Sequence, residues 1–164
     1  MNFLVLGGTG FIGLHLVRRL HAEGHRVTVL NRGVSGALLP DGVDWLVADR
    51  TKPSMVRSIL KGAAYDAAFD ISCYTPEALE PVIDGLDDRV GHFVFCSTTS
   101  VYAQSDFAPI SEDFPLNRGP EADDYTRNKI ACEDMLVEAF GDKGFPATVL
   151  RPPYVYGPDN PLKQ

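Results

Sequence analysis

Asp124-Tyr125-Thr-Arg-Asn-Lys129 opens the longest helical stretch in the sequence, and a four-residue spacing sets the phenol and the ammonium on one helix face. A free phenol ionises near about 10, too high for an efficient base at neutral pH, and an adjacent cation favours the phenolate. Tyr125 and Lys129 could therefore move the proton that interconverts an alcohol and a ketone. The alternative is a chance pair on an amphipathic helix. Ser97-Thr-Thr-Ser100 follows an apolar run and brings hydroxyls to the end of a strand, where one could hold a substrate oxygen toward Tyr125.

Hydride chemistry needs an electron carrier, and the start of the chain offers a place for one. Leu6-Gly-Gly-Thr-Gly-Phe-Ile-Gly13 puts four glycines in eight positions. Gly7 can make a tight turn, Gly10 can let the backbone approach a pyrophosphate, and Gly13 can let the following helix lie close on the sheet. The start of that helix presents unpaired N–H groups to phosphate. Asn31-Arg32 stands where an acidic residue would bind the ribose hydroxyl of NAD, so a 2′-phosphate and NADP are expected, with NAD as the alternative. Arg32 as a solvated loop charge is the competing reading. Asp49 could accept from an adenine amino group or cap the helix that starts at Pro53.

The elements that must position these groups alternate. Strands are expected at 2–6, 26–31, 43–48, 67–71, 92–96 and 147–150, with helices at 11–23, 53–60 and 123–140. Thr75-Pro76-Glu77 reads as a further helix start, with a break or kink expected at Pro81 because proline cannot donate to a continuing helix. Strands joined through helices make a parallel sheet, so the fold class is α/β, doubly wound and Rossmann-type, in the strand order 3-2-1-4-5-6. Residues 98–122 are rich in Pro, Asp, Ser and Asn and read as a long functional loop, and 152–161 reads as irregular chain.

At 164 residues the chain is one domain, 1–164, and its 45% apolar and 23% charged residues are those of a folded globular protein. The net charge of −7 disfavours nucleic acid as a partner. Cys73, Cys96 and Cys132 form no close pair in sequence and share no metal-ligand spacing with the four histidines, so neither a disulfide framework nor a metal site is expected. The absence of a basic leader and of a bilayer-length apolar run points to a cytoplasmic protein away from membranes.

GGTGFIG, STTSVY, YTRNK and LRPPYVYGP, in that order, resemble the extended short-chain dehydrogenase/reductase family of nucleotide-sugar epimerases and dehydratases, over essentially the whole chain. The resemblance implies that Gly7, Gly10 and Gly13, with Thr9, Phe11 and Ile12, hold the pyrophosphate. It implies that Asp49 meets the adenine, that Ile71 and Ser72 line the cofactor and that Pro152 lies near the nicotinamide, with Asn31, Arg32 and Arg50 as further cofactor-binding residues. Thr98 would be the catalytic hydroxyl and Tyr125 the acid/base. Lys129 would bind the nicotinamide ribose and lower the phenol's pKa. The substrate class would be a sugar or sugar nucleotide.

Two positions depart from the pattern. The usual His-x-Ala-Ala is Asp70-Ile-Ser-Cys73, and an asparagine common before VYGP is Tyr154. Family members continue for about another hundred residues or more of mostly substrate-binding chain, so the chain is expected to be the dinucleotide-binding part with the C-terminal part absent. Such a form would be inactive alone and prone to self-association, a homodimer included. The competing function is a catalytically inactive NADP-binding sensor or RNA-associated scaffold of the same fold.

Overall fold

A computed structural model describes residues 1–34, 39–106 and 108–160. Six strands, β1 Asn2–Leu6, β2 Arg26–Asn31, β3 Asp44–Val47, β4 Ala67–Asp70, β5 Phe93–Cys96 and β6 Ala147–Leu150, pair in parallel in the order β3-β2-β1-β4-β5-β6. That is the expected topology. Helices α1 Phe11–Ala22, α2 Pro53–Leu60, α3 Pro76–Leu86 and α4 Asp124–Lys143 supply the crossovers.

Alternation along β1 divides the core. Phe3 and Val5 face α1, packing with Val17, Leu20, Val27 and Val29. Leu4 and Leu6 face the other way, into a larger cluster with Leu60, Leu79, Leu86, Phe93, Phe95 and Leu136. The central strands are buried on both faces, as parallel sheets require. β3 is an edge strand, with Trp45 and Val47 partly in solvent.

Helix ends follow from local chemistry. α2 and α3 begin with proline in the first turn, where its missing N–H has no helical partner to lose. Asp123 caps α4 by accepting the Thr126 N–H at 2.8 Å, and Gly144, at φ +70°, ends it.

The break expected at Pro81 does not occur, and α3 runs through it. Proline there removes one backbone hydrogen bond near the start of the helix. Burial of Leu79, Val82, Ile83 and Leu86 along one face outweighs that loss.

The long loop is anchored at its base. A 3₁₀ turn, Thr99–Val101, leads into an antiparallel bridge between Tyr102 and Leu116, flanked by the bonds Ala103 N–H to Pro115 O at 2.9 Å and Asn117 N–H to Val101 O at 2.7 Å. Residue 107 of this loop and residue 161 of the expected irregular tail lie outside the described residues.

Candidate active site

Every strand in a parallel sheet ends on the same edge, so the turns after β1, β2, β3 and β4 converge there. They enclose a cleft of about 670 Å3 lined by Gly7, Thr9, Asn31, Arg32, Asp49, Arg50 and Ser72 from the expected set. Leu30, Ala48, Thr51, Tyr74, Thr75 and Ala78 complete most of the wall.

The three glycines do three different things. Gly7 has φ +90°, and a Cβ there would meet the Ser72 side chain at 2.6 Å. A Cβ on Gly13 would lie 2.1 Å from the Gly7 carbonyl oxygen, so α1 can approach the turn only without one. A Cβ on Gly10 would meet nothing within 4 Å. Gly10 is the N-cap of α1, which has no side-chain cap and no acidic residue in its first turn. The N–H groups that start α1 thus lack an internal anion, and open space lies beside them. Residues and space fit a diphosphate.

At the end of the cleft formed after β2 and β3, Asn31 works mainly within the scaffold. Its Nδ2 donates to Thr9 Oγ1 at 2.8 Å, and its Oδ1 accepts from the Gly33 N–H at 2.8 Å and the Trp45 indole N–H at 2.9 Å. Asp49 accepts from the Thr51 N–H and hydroxyl at 3.0 and 2.9 Å. These bonds hold its carboxyl below the usual carboxylate range. The alternative in which Asp49 caps α2 is corrected here, because the N-cap is Lys52 and Asp49 closes the preceding turn.

Arg50 grips Asp70 with both terminal nitrogens, one contact being Nη1 to Oδ1 at 2.8 Å, and reaches Ser72 Oγ at 3.4 Å. Burial works against the Arg50 charge and Asp70 more than restores it. The atypical Asp70 therefore has a partner of its own, and Arg50 is a neutralised wall of the cleft. Arg32 is exposed and has no ion pair among the described residues.

Thr98, Tyr125 and Lys129 are not among the residues lining this cleft, but its wall residue Tyr74 has its ring centroid 6.2 Å from that of Tyr125 and 5.3 Å from Lys129 Nζ. Thr98 caps the 3₁₀ turn, accepting the Ser100 N–H at 3.2 Å. Tyr125 is 40% exposed, whereas Lys129 is buried at 2%. Lys129 Nζ donates to the carbonyls of Cys73 at 2.8 Å and Cys96 at 2.6 Å, and sits 4.9 Å from the Phe95 ring centroid and 5.9 Å from that of Tyr125.

The spacing does bring phenol and ammonium together, but the expected depression of the phenol is not met. Burial pushes Tyr125 above its ordinary value, with the nearby Thr98 hydroxyl pulling the other way. Two of the ammonium's three donors are engaged by carbonyls, and burial pushes Lys129 down.

Behind the hydroxyl strand end, buried Glu133 accepts from Ser97 Oγ at 2.5 Å and from Arg151 Nη2 at 2.6 Å. Arg151 also donates to the Tyr102 hydroxyl at 3.0 Å and the Glu112 carbonyl at 2.9 Å, tying the long loop to β6. Nothing in the sequence reading singled out this network. Ile71 packs against the α1-side core, and Pro152 accepts the Thr99 N–H at 3.1 Å. Gly10, Phe11, Ile12, Gly13, Ile71 and Pro152 are outside the cleft lining.

The model of the NAD dependent epimerase/dehydratase family matches residues 3–164. The chain belongs to the NAD dependent epimerase/dehydratase family.

The chain is 34% identical to the chloroplast stem-loop binding protein of 41 kDa b from Arabidopsis thaliana, over 97% of this chain and 43% of that protein. It is 30% identical to the 2'-dehydrokanamycin reductase of Streptomyces kanamyceticus, over 95% of this chain and again 43% of the relative. The chain thus spans less than half the length of these family relatives. Among solved structures, the Thermotoga maritima UDP-glucose 4-epimerase with UDP-glucose superposes with a TM-score of 0.86 at 24% identity, over 99% of this chain and 59% of that one. The Bordetella bronchiseptica enzyme WbmH, in complex with NAD+, gives 0.83 at 21% identity, over 99% and 58%. Both show the same fold.

Among the described residues no helix is long and apolar enough to cross a membrane, and no His, Cys, Asp and Glu group could hold a metal ion.

Proposed function

We propose that the chain binds NADP and carries the proton-transfer residues of an oxidoreductase, epimerase or dehydratase acting on a sugar nucleotide or a related hydroxyl or carbonyl compound. The observation that carries this reading is the contact of Tyr125 with Tyr74 in the wall of the cleft, ring centroids 6.2 Å apart, with the Thr98 hydroxyl beside Tyr125 and Lys129 buried one turn along α4.

The glycine turn and the uncapped start of α1 hold the diphosphate, and Asp49 faces the adenine. Arg32 is the guanidinium at the adenosine end that has no ion pair among the described residues, since Arg50 is committed to Asp70, and this favours a 2′-phosphate. A dinucleotide bound there would supply hydride chemistry at a carbon bearing a hydroxyl or carbonyl group. Thr98 orients the substrate oxygen through its hydroxyl. Tyr125, which burial keeps protonated at neutral pH, gives its proton to a forming alkoxide or takes one from an alcohol once ionised. Lys129 clamps the ends of β4 and β5 through the Cys73 and Cys96 carbonyls, and its third N–H remains for a ligand oxygen.

The test is NADPH-dependent turnover of the full-length protein across a sugar-nucleotide panel, with Tyr125→Phe in parallel. Loss of about 10²-fold or more in kcat is expected for removal of a general acid/base. Equal rates would remove Tyr125 from the chemistry.

A second reading, an RNA-associated scaffold, draws support from the stem-loop binding relative and the atypical Asp70-Ile-Ser-Cys73. The net charge of −7 opposes it, because RNA affinity rests on basic surface. Salt-sensitive binding of a stem-loop RNA with no turnover on the panel would favour it.

A further inference from the structure

Tyr74 has no part in the reading above, yet it occupies the seam between the two halves of the site. The chain leaving β4 is fully buried at Asp70 and Cys73 and then turns out at Tyr74, which is 57% exposed. Tyr74 lines the dinucleotide cleft alongside Gly7 and Ser72. Its ring centroid is 6.2 Å from that of Tyr125, with the planes tilted by 46°. Lys129 Nζ lies 5.3 Å from the Tyr74 ring.

These contacts make the ring a fixed surface. A cation within about 6 Å of an aromatic face is attracted to it, so the buried ammonium of Lys129, itself anchored on two carbonyls, steadies Tyr74 from beneath. Phe95 also covers Lys129 but is fully buried, which leaves Tyr74 and Tyr125 as the rings of this cluster that a ligand can meet. Tyr125 is needed at its hydroxyl end. Tyr74 offers a ring face.

The chemistry of that pairing selects a ligand. A glycosyl ring has a polar rim of hydroxyls and an apolar face of C–H groups. If its reacting hydroxyl sits at Thr98 and Tyr125, the C–H face needs an apolar surface set at an angle to the Tyr125 ring. An open-chain polyol presents no such face. We propose that Tyr74 is a substrate-orienting and specificity-determining residue, its ring receiving the C–H face of a glycosyl ring whose hydroxyl is held at Thr98 and Tyr125. This rests on the hydride-transfer reading of the site and adds the shape of the substrate to it.

The experiment compares the full-length protein with its Tyr74→Phe, Tyr74→Leu and Tyr74→Ala variants, using UDP-glucose and UDP as probes in the presence of NADP. Binding is read by calorimetry and by saturation transfer from protein to the sugar-ring protons. NADPH affinity, measured on every variant, reports that the cleft is intact. Tyr74→Ala should weaken UDP-glucose by about tenfold, or about 1.4 kcal/mol, with UDP and NADPH unchanged and the sugar-ring saturation lost. Tyr74→Phe should restore binding, and Tyr74→Leu should fall between. In turnover the loss should appear in KM more than in kcat.

Four results would overturn the proposal: no change in Tyr74→Ala; an equal loss for UDP and UDP-glucose; a loss confined to NADPH, which would assign the ring to the cofactor; or wild-type protein that binds UDP-glucose no better than UDP. Failure of the hydride-transfer reading is seen separately, as unchanged turnover in Tyr125→Phe.

Discussion

Replacing Gly10 and Gly13 by alanine should separate folding from dinucleotide binding. Gly10 has φ −136° and ψ 148°, which alanine adopts freely, and its added methyl meets nothing within 4 Å. Alanine is a poorer N-cap than glycine by about 0.5–1 kcal/mol. Reduced freedom of the unfolded chain returns about 0.4–1 kcal/mol, so the net change is about zero. Gly13→Ala places a methyl 2.1 Å from the Gly7 carbonyl oxygen, a backbone atom that cannot swing aside. Overpacking of that kind costs about 1–3 kcal/mol, and the short contact argues for the upper end.

At about 2–4 °C per kcal/mol for a chain of this size, Gly13→Ala should lower Tm by about 6–12 °C, and Gly10→Ala should leave it within about 2 °C. Affinity should not follow stability. The Gly10 methyl occupies the space a phosphate needs, and losing one hydrogen bond to a charged group costs about 1.5–3 kcal/mol. That is about ten- to hundredfold in Kd. Thermal melts and NADPH titration on both variants provide the assay. A Gly10→Ala protein that melts like wild type and also binds NADPH like wild type would refute the assignment of the diphosphate to this turn.

Arg32→Ala should lower NADPH affinity about tenfold or more and leave NADH unaffected, as loss of a guanidinium–phosphate contact requires; an unchanged ratio of the two Kd values would show that Arg32 is not the discriminator. Arg151→Met breaks the bond network to Glu133, Tyr102 and Glu112 and leaves the Glu133 carboxylate buried without its partner, so a loss of about 3 kcal/mol and a Tm fall of about 6–12 °C are expected by calorimetry. Burial holds Tyr125 protonated past its ordinary range, so the base form appears only on the alkaline side, and kcat/KM for alcohol oxidation should still be rising through the ordinary phenol range. A plateau near neutrality would mean that the phenol ionises far more readily in the free protein.

The parts of this site that were legible in the sequence are those in which backbone geometry dictates residue type. A positive φ at Gly7 and a carbonyl against Gly13 can be met only by glycine, and their spacing announces the turn. The Tyr125 and Lys129 pair was legible for a similar reason, since a four-residue spacing sets the shared face of a helix.

Features set by tertiary packing were not. Asp70 ends β4 and Arg50 lies in the turn after β3, with β2 and β1 between those strands in the sheet, so only the folded chain brings them together. Pro81 looked like a break because its local cost is plain in sequence, whereas the buried face that outweighs it depends on the partner helices. The direction of the Tyr125 shift depends on its burial, which is set by packing, and the carbonyls of Cys73 and Cys96 that hold Lys129 carry no sequence signal. Tyr74 is an exposed aromatic one residue beyond a departure from the family pattern; its role follows from what its ring faces.

The most direct test is calorimetric titration of the wild-type full chain with NADPH and with NADH. Saturable one-to-one binding, tighter for NADPH, is the expected result. Folded protein that gives no binding heat with either nucleotide, and shows no displacement of either in a competition assay, would leave the glycine turn without a diphosphate and Tyr125 without a reaction to serve.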